Sequence, residues 1–217
     1  MDEITIHLTA ADREFYGGAL ILLEGIISEF LSCLGMMRRY QTAQGLRDPV
    51  SSVQARIKSA ASMREKLTRQ GLPVTRDSAL QNIRDAAGVR LICPFTQNID
   101  QTVALIRAIP GVEVLREKDY IRHPKPNGYR SYHMILSLPL RFLGREPHAP
   151  VWLEVQLRTI AMDCWASIEH QLKYKRDIPN QSLIVQELKR CADEIASTDL
   201  SLQTIRELIE RPAERPE

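Results

Sequence analysis

The chain has 217 residues, of which 44% are hydrophobic and 26% are charged, and its formal net charge is +2 at neutral pH. These values are typical of one globular core with helical additions, and they exclude a low-complexity chain. Acidic residues predominate at both ends and basic residues predominate in 47–90 and 116–130, which suggests a cleft for a polyanion rather than general adhesion to nucleic acid.

The first predicted element is a helix over residues 11–40. Apolar side chains recur along it at the spacing of one helix face, at Ala19, Leu22, Ile26, Phe30, Leu34 and Met37. No basic segment precedes a long apolar run near the start, and the run 19–27 is short for a bilayer and contains Glu24. We therefore expect a cytoplasmic protein without a membrane partner.

A cationic segment follows, in which a strand predicted over 51–58 leads to a short helix over 62–70. The junction carries Arg56, Lys58, Ser62 and Lys66. A helix start presents free backbone N–H groups, and together with cations and a hydroxyl it suits a di- or triphosphate. A solvated basic face is the alternative. The sequence contains no glycine-rich Walker loop, so it is not a P-loop protein.

Three segments alternate apolar and polar side chains in the pattern of a half-buried strand, at 88–94, 132–138 and 151–158. Their polar positions include Arg90, His133, Glu154 and Gln156. If the three strands share a sheet, these side chains could project from one face and form the floor of a site. The alternative is three ordinary strands whose polar residues meet water.

Asp85 lies just before the strand at 88–94 and adds a second carboxylate to this group. Together with Glu154 it would supply half of an oxygen site of the type that Mg²⁺ favours when phosphates provide the remaining ligands. Two carboxylates over a basic pocket make nucleotide chemistry the economical explanation.

The loop between 119 and 133 is the most specific signal in the chain. Tyr129 follows Asn127-Gly128 and lies between Lys125 and Arg130. An aromatic ring in this setting could stack on a base while the cations hold its phosphates. The alternative is a hairpin turn with an incidental tyrosine.

The remaining pattern predicts a helix over 99–109, a strand over 112–120, a helix capped by Thr159 and a final helix over 181–210. The apolar row of the helix after Thr159 is Ile160, Cys164, Ile168 and Leu172. This order of elements indicates an α/β fold, of α+β type, with a mixed sheet flanked by helices. We expect one domain over 1–217, with terminal amphipathic helices that cover the sheet or pair between subunits.

Four ordered motifs carry a resemblance to a known family. They are the cationic run from Arg56 to Lys66, Asp85-Ala-Ala-Gly-Val-Arg90, Lys125-Pro-Asn-Gly-Tyr-Arg-Ser-Tyr-His133, and Glu154-Val-Gln-Leu-Arg-Thr159 with Trp165 and Glu169-His170. Over about 50–175 the chain resembles the synthetase domain of the RelA/SpoT family, which implies a nucleotidyltransferase-like core. It looks like a stand-alone small alarmone synthetase, without the hydrolase region that would degrade (p)ppGpp.

The resemblance implies a GTP pyrophosphokinase, which transfers the β,γ-pyrophosphoryl group of ATP to the ribose 3′-hydroxyl of GDP or GTP, with GMP left open. For ATP it implies phosphate contacts from Arg56, Lys58, Ser62 and Lys66, and adenine stacking by Arg90. Lys118 is the nearest candidate for a second stacking cation, and Arg116 and Arg122 are alternatives. Asp85 and Glu154 would hold Mg²⁺, and Glu154 would also take the proton of the 3′-hydroxyl.

For the guanine nucleotide the resemblance implies contacts from Lys125, Tyr129, His133 and Gln156. It also implies a homo-oligomer, as a tetramer, and it leaves open regulation by single-stranded RNA or by the alarmone product. A catalytically silent nucleotide- or RNA-binding regulator is the alternative function. A template-independent nucleotidyltransferase is less favoured, because position 156 is Gln where that class places a second carboxylate.

Overall fold

A five-stranded mixed sheet with the order β1-β2-β5-β4-β3 forms the centre of the computed structural model, which describes residues 6–140, 151–173 and 180–210. The strands are β1 (Ser52–Ile57), β2 (Ala87–Cys93), β3 (Glu113–Asp119), β4 (Tyr132–Ser137) and β5 (Trp152–Thr159). β2 and β5 are parallel, and the other neighbouring pairs are antiparallel. The mixed α/β fold predicted from the sequence is confirmed, while the predicted domain over 1–217 extends past the described residues at both ends.

Seven α-helices flank the sheet in the part of the chain that the structure describes. They are α1 (Ala10–Tyr16), α2 (Leu20–Ala43), α3 (Ala60–Arg69), α4 (Arg76–Asn82), α5 (Thr96–Arg107), α6 (Ile160–Lys173) and α7 (Gln181–Glu210). The predicted N-terminal helix is present, but a 3-10 turn at Gly17–Ala19 divides it. Gly17 has a φ of +51°, a conformation that residues with a Cβ rarely adopt. α4 was missed by sequence reasoning.

One face of the sheet is apolar and forms the core. Val89 and Leu91 of β2, Val155 and Leu157 of β5, and Met134 of β4 are all buried. α2 covers them with Leu23, Ile26, Phe30 and Leu34, and α5 covers them with Ile99, Val103 and Ile106. Each large apolar side chain buried in this way contributes about 1.5–3 kcal/mol, so the helices hold the sheet in place while its other face stays open for a site.

The segment Ala10–Ala43 is long and apolar enough to cross a membrane, judged by length and composition alone. The core helix of a globular protein passes the same test. Here Ile26, Phe30 and Leu34 are buried against the sheet. The apolar stripe of α2 is therefore part of the core.

The apolar row predicted for α6 does not enter the core. Ile160, Ile168 and Leu172 are 55%, 49% and 41% exposed, and Cys164 is also exposed. The buried side of α6 instead carries Met162, Trp165 and Ala166. Trp165 donates a hydrogen bond of 2.9 Å from its indole nitrogen to the carbonyl of Leu188, which joins α6 to α7.

Candidate active site

Two rows of residues, most of them polar, cross the open face of the sheet. The register places one row at Gln54, Arg90, Gln156, His133 and Lys118, one from each strand. The neighbouring row is Arg56, Gly88, Glu154, Ile135 and Arg116. Because alternate residues of a strand point to the same face, the two rows share one surface. The structure thus brings together Arg90, His133, Glu154 and Gln156, which come from three separate stretches of the sequence.

A cavity of about 600 Å³ lies over β5, β4 and β3 on this face. Both carboxylates of the sequence prediction, Asp85 and Glu154, contribute to its wall. Five cationic side chains also line it, Lys66, Arg84, Arg116, Lys118 and Lys125. The cavity is therefore suited to an anionic ligand that carries several charges.

A smaller cavity of about 90 Å³ lies over β1, β2 and β5. Arg56 and Arg90 line it together with Gln54 and Gln156, and Glu154 belongs to both cavities. Burial and the neighbouring guanidinium groups of Arg158 and Arg56 lower the pKa of Arg90. A concentration of guanidinium groups of this kind favours a planar or anionic ligand.

Asp85 connects two lysines at the edge of the large cavity. Its Oδ2 atom lies 3.2 Å from Nζ of Lys58 and 2.8 Å from Nζ of Lys66. The other oxygen, Oδ1, is buried and accepts no hydrogen bond from the residues that the structure describes. Such an oxygen needs a ligand, and a hard divalent cation is one that suits it.

Asp85 and Glu154 fit a cation whose remaining ligands come from a substrate. Within 6–140, 151–173 and 180–210 there is no cluster of three or more His, Cys, Asp or Glu residues that could hold a metal by itself. Mg²⁺ is commonly bound in this way, by one or two carboxylates together with phosphate oxygens and water.

Glu154 is held in place by two neighbours. Gln156 Nε2 donates a hydrogen bond of 2.8 Å to its Oε2, and His133 Nδ1 lies 3.4 Å from its Oε1. Burial opposes ionisation of this carboxyl, but the hydrogen bonds from His133 and Gln156 and the charge of Arg56 outweigh it and lower the pKa of Glu154 to about 2. Glu154 is therefore a carboxylate throughout the physiological range.

A hydrogen-bonded chain leads from Glu154 to the loop before β4. His133 Nε2 and the Tyr129 hydroxyl share a hydrogen bond of 2.8 Å, and Arg158 Nη2 donates to the same hydroxyl at 2.8 Å. Because a carboxylate can only accept, the arrangement fits a proton on His133 Nδ1 and a tyrosine hydroxyl that donates to Nε2. The chain fixes Tyr129 relative to Glu154.

The ring of Tyr129 is half-buried and lies close to two cations. Lys125 Nζ is 4.5 Å from the ring centroid, and the Arg158 guanidinium is 5.2 Å away. The structure thus brings Lys125, Tyr129 and His133 together, as the sequence motif suggested: Lys125 and His133 line the large cavity, and Tyr129 contacts both of them. A base that stacks on this ring would take the place of the Lys125 ammonium.

The position of Lys118 does not fit the role expected for it, which is adenine stacking opposite Arg90. It shares a row with Arg90, but β5 and β4 lie between their strands. At about 4.8 Å per strand the separation is about 14 Å, too far for the two to hold one adenine ring between them. Arg56 lies beside β2 and lines the same small cavity as Arg90, so the second cation at that position is Arg56.

Arg158 and Asp163 are charged residues of the site that were not assigned from the sequence. Arg158 is 5% exposed, and its guanidinium donates to Gln156, Tyr129 and Asp163. Asp163 also pairs with Arg90 at 3.2 Å. The alternation that reveals Glu154 and Gln156 continues to Arg158 and places it on the same polar face, although no role was assigned to it, whereas Asp163 lies on α6 and gives no comparable signal.

Ser62 was predicted at the first residue of the helix, but it lies inside the first turn of α3. α3 begins at Ala60, and the Ser59 hydroxyl accepts a hydrogen bond from the Ser62 backbone N–H at 3.3 Å. The cap is therefore Ser59. The hydroxyl groups of Ser59 and Ser62 lie 3.1 Å apart at the exposed N-terminus of α3, next to Lys58.

Sequence comparisons match this chain to known proteins. Residues 55–179 match the model of the region found in RelA and SpoT proteins. GTP pyrophosphokinase YwaC of Bacillus subtilis is 40% identical over 148 residues, which cover 67% of this chain and 69% of the relative. GTP pyrophosphokinase YjbM of the same organism is 34% identical over 158 residues, which cover 73% and 72%.

A solved structure extends the likeness to the fold. The crystal structure of small alarmone synthetase 1 from Bacillus subtilis, bound to its product pppGpp, superposes with a TM-score of 0.80 at 29% identity. The superposition covers 92% of this chain and all of that one, including regions outside the family match. The family match, the identity to these relatives and the shared fold lead to one conclusion: the chain belongs to the RelA/SpoT family.

Proposed function

We propose that the protein is a GTP pyrophosphokinase, which transfers the β,γ-pyrophosphoryl group of ATP to the ribose 3′-hydroxyl of GDP or GTP and so makes (p)ppGpp. The observation that carries the proposal is the position of Glu154, which contributes to the walls of two cavities with different linings. Two nucleotides that occupied these cavities would meet at this carboxylate. The relatives YwaC and YjbM, both GTP pyrophosphokinases, support the same reaction.

The small cavity is the donor side. Adenine would lie between the guanidinium groups of Arg56 and Arg90, which present flat cationic surfaces to a base. The ATP phosphates would extend toward Lys58, Lys66 and the hydroxyl of Ser62. Both lysines already lie beside Asp85, so a phosphate chain arriving there would find cations held in place.

The large cavity is the acceptor side. Guanine would stack on Tyr129, and Lys125 and His133 would contact the phosphates of the same nucleotide. Lys118 and Arg116 also line this cavity, on the edge strand β3. We assign them to the 5′-phosphates of GDP or GTP, and this replaces the expectation that Lys118 contacts adenine.

Asp85 and Glu154 would hold Mg²⁺, with phosphate oxygens completing the shell. Bound there, the ion would neutralise charge that spreads over the phosphoryl oxygens in the transition state. The orphaned Oδ1 of Asp85 is the observation that favours this ligand. Lys58 and Lys66 would then share their hydrogen bonds between Asp85 and the phosphates.

Transfer would follow from alignment rather than from covalent participation of the protein. The 3′-oxygen forms a bond to the β-phosphorus of ATP, the bond between that phosphorus and the α,β-bridging oxygen breaks, and AMP leaves. The hydroxyl proton passes to the Glu154 carboxylate and then to solvent. In the free protein the pKa of Glu154 is about 2, and nearby phosphate charge raises a carboxyl pKa toward the range a base needs.

Pure protein incubated with Mg²⁺, β-labelled ATP and each of GMP, GDP and GTP tests the proposal. We expect AMP and a 3′-pyrophosphorylated guanine nucleotide in equal amounts, loss of turnover with a chelator, and its return with Mg²⁺. Glu154→Gln should lower the rate by about 100-fold or more. Full activity in that variant would overturn the assigned base, and nucleotide binding without AMP release by the wild type would support the silent regulator instead.

The apolar residues left exposed on α6 and α7 support assembly into a homo-oligomer, which we propose to be a tetramer. On α7, Leu200, Leu202, Ile205, Leu208 and Ile209 are 46–74% exposed. Sedimentation at micromolar concentration should show a species larger than the monomer.

We also propose a cytoplasmic location, where ATP and guanine nucleotides are available. Added single-stranded RNA and added product would test regulation in the same assay.

A further inference from the structure

The acceptor loop, residues 120–131, rests on the C-terminal helices rather than on the sheet alone. Asn127 Nδ2 donates a hydrogen bond of 2.9 Å to Glu169 Oε1 of α6. Tyr129 packs against a small cluster of buried residues, Trp165, Ala166 and Ala192, which belong to α6 and α7. The ring assigned to guanine therefore packs against helices whose described residues do not line the large cavity.

The contact with α7 is closest at Gly128. A Cβ atom on Gly128 would lie 2.5 Å from Cβ of Ala192 and 3.3 Å from Cα of Lys189. Gly128 also has a φ of +89°, so both its conformation and its neighbour exclude a side chain. The backbone of the loop thus lies directly on one turn of α7, one residue before Tyr129.

Arg130 fixes the loop on the other side of Tyr129. Its Nη1 donates to the carbonyl of Ile121 at 2.9 Å, and its Nη2 pairs with Asp193 of α7 at 3.4 Å. Gly128 and Arg130 therefore contact the consecutive α7 residues Ala192 and Asp193. Tyr129 lies between these two contacts in the sequence, so they restrain its position.

We propose that α7, through Ala192 and Asp193, is the positioning element of the acceptor loop and thereby sets the affinity for the guanine nucleotide. The inference rests on the proposed function, because it assigns Tyr129 to the acceptor. It adds residues that lie beyond the family match, which ends at 179. Ala192 and Asp193 act through the loop and touch neither nucleotide.

Ala192→Leu is the direct test, because it adds bulk where Gly128 already lies against the helix. The matched control is Ala196→Leu, the same change one turn further along α7. We expect Ala192→Leu to raise the KM for GDP about 10-fold while the KM for ATP stays within about 2-fold, and Ala196→Leu to change neither. An equal rise in both KM values, or an unchanged KM for GDP in a folded variant, would overturn the proposal.

Asp193→Asn keeps the test open if Ala192→Leu does not fold. This exposed change weakens the contact with Arg130 and should raise the KM for GDP about 3-fold, with Glu194→Gln as its exposed neighbouring control. An unchanged KM for GDP would count against the proposal.

Hydrogen exchange of the free protein separates this inference from the proposed function. In Ala192→Leu the amides of 120–131 should exchange faster than in the wild type, while those of β2 should not change. If the wild type forms no product, the proposed function fails, yet the exchange of 120–131 still decides whether α7 holds the loop. Unchanged exchange there would overturn the inference even in an active enzyme.

Discussion

The Tyr16 hydroxyl donates a hydrogen bond of 2.7 Å to the backbone carbonyl of Lys58, the lysine that pairs with Asp85. Tyr16 is fully buried, and Asp12, also on α1, accepts a hydrogen bond from the Ala60 N–H at 2.6 Å. α1 thus holds the backbone on both sides of Ser59 at the start of α3. The cations proposed for the ATP phosphates are positioned by a helix that precedes the family match.

Tyr16→Phe removes the hydroxyl and keeps the ring in the core. We expect a loss of about 1 kcal/mol in unfolding free energy, because one buried hydrogen bond disappears and the Lys58 carbonyl is left unpaired. The KM for ATP should rise about 5-fold while the KM for GDP is unchanged. Tyr40→Phe, a change at a 70% exposed residue of α2, is the control, and steady-state kinetics with urea unfolding provide the measurements.

The proposed donor and acceptor cavities predict that two cations of the same row, Arg90 and Lys118, affect the KM of different substrates. Arg90→Lys keeps the charge but removes the flat guanidinium, so the KM for ATP should rise about 10-fold. Lys118→Ala should instead raise the KM for GDP by about 10-fold and leave ATP almost unaffected. Measuring both KM values for both variants checks the assignment. A rise in the KM for ATP with Lys118→Ala would restore the original expectation for that residue.

Asp85→Asn tests the proposed metal ligand. The change removes a charged oxygen and leaves Lys58 and Lys66 without their common partner. The initial rate should fall about 100-fold, and higher Mg²⁺ should recover part of it. Asp77→Asn, at a carboxylate that is 70% exposed on α4, should behave like the wild type. A rate within about 3-fold of the wild type would rule out the ligand role for Asp85.

Asp199 predicts a pH dependence of stability. It accepts a hydrogen bond of 2.6 Å from the Thr159 hydroxyl, but burial raises its pKa above the ordinary value of 3.8. Because the pKa of Asp199 is raised in the folded state, protonation of this carboxyl stabilises the fold. This stabilisation is fully present below pH 3.8 and is lost as the pH rises through the folded pKa. Asp199→Asn should therefore be more stable than the wild type at about pH 7.

Urea unfolding of Asp199→Asn and the wild type from about pH 7 to about pH 3 checks this sign. The advantage of the variant should shrink as the pH falls. Asp100→Asn, at a 65% exposed carboxylate, should show no such trend. An advantage that grew on acidification would contradict the raised pKa.

Local pattern was enough to predict the face of the sheet that carries the site. The alternation along residues 151–158 separates Glu154 and Gln156 from Leu153, Val155 and Leu157, and the latter three are fully buried. Alternation is a property of each strand alone, which is why it could be read from the sequence. The length of α7 was also predictable, because its apolar spacing continues over many turns.

Strand order could not be predicted in the same way, because it depends on contacts between distant segments. Lys118 was expected beside Arg90, and only the order β2-β5-β4-β3 shows that they lie on opposite sides of β5. α4 escaped notice because its seven residues carry little periodic pattern, and its start depends on a cap at Thr75. The apolar row of α6 was identified from its spacing, but spacing alone does not reveal which side of a helix is covered.

The strand β5 lies between a β1–β2 side and a β4–β3 side, and each of these sides meets it through backbone pairing. Substitutions at the outer β3 edge therefore need not disturb Arg56 or Arg90. With this division of the sheet, the preference for one guanine nucleotide could differ between relatives while the proposed ATP side stays the same. Differences in acceptor choice within the family should accordingly concentrate on β3 and the loop that follows it.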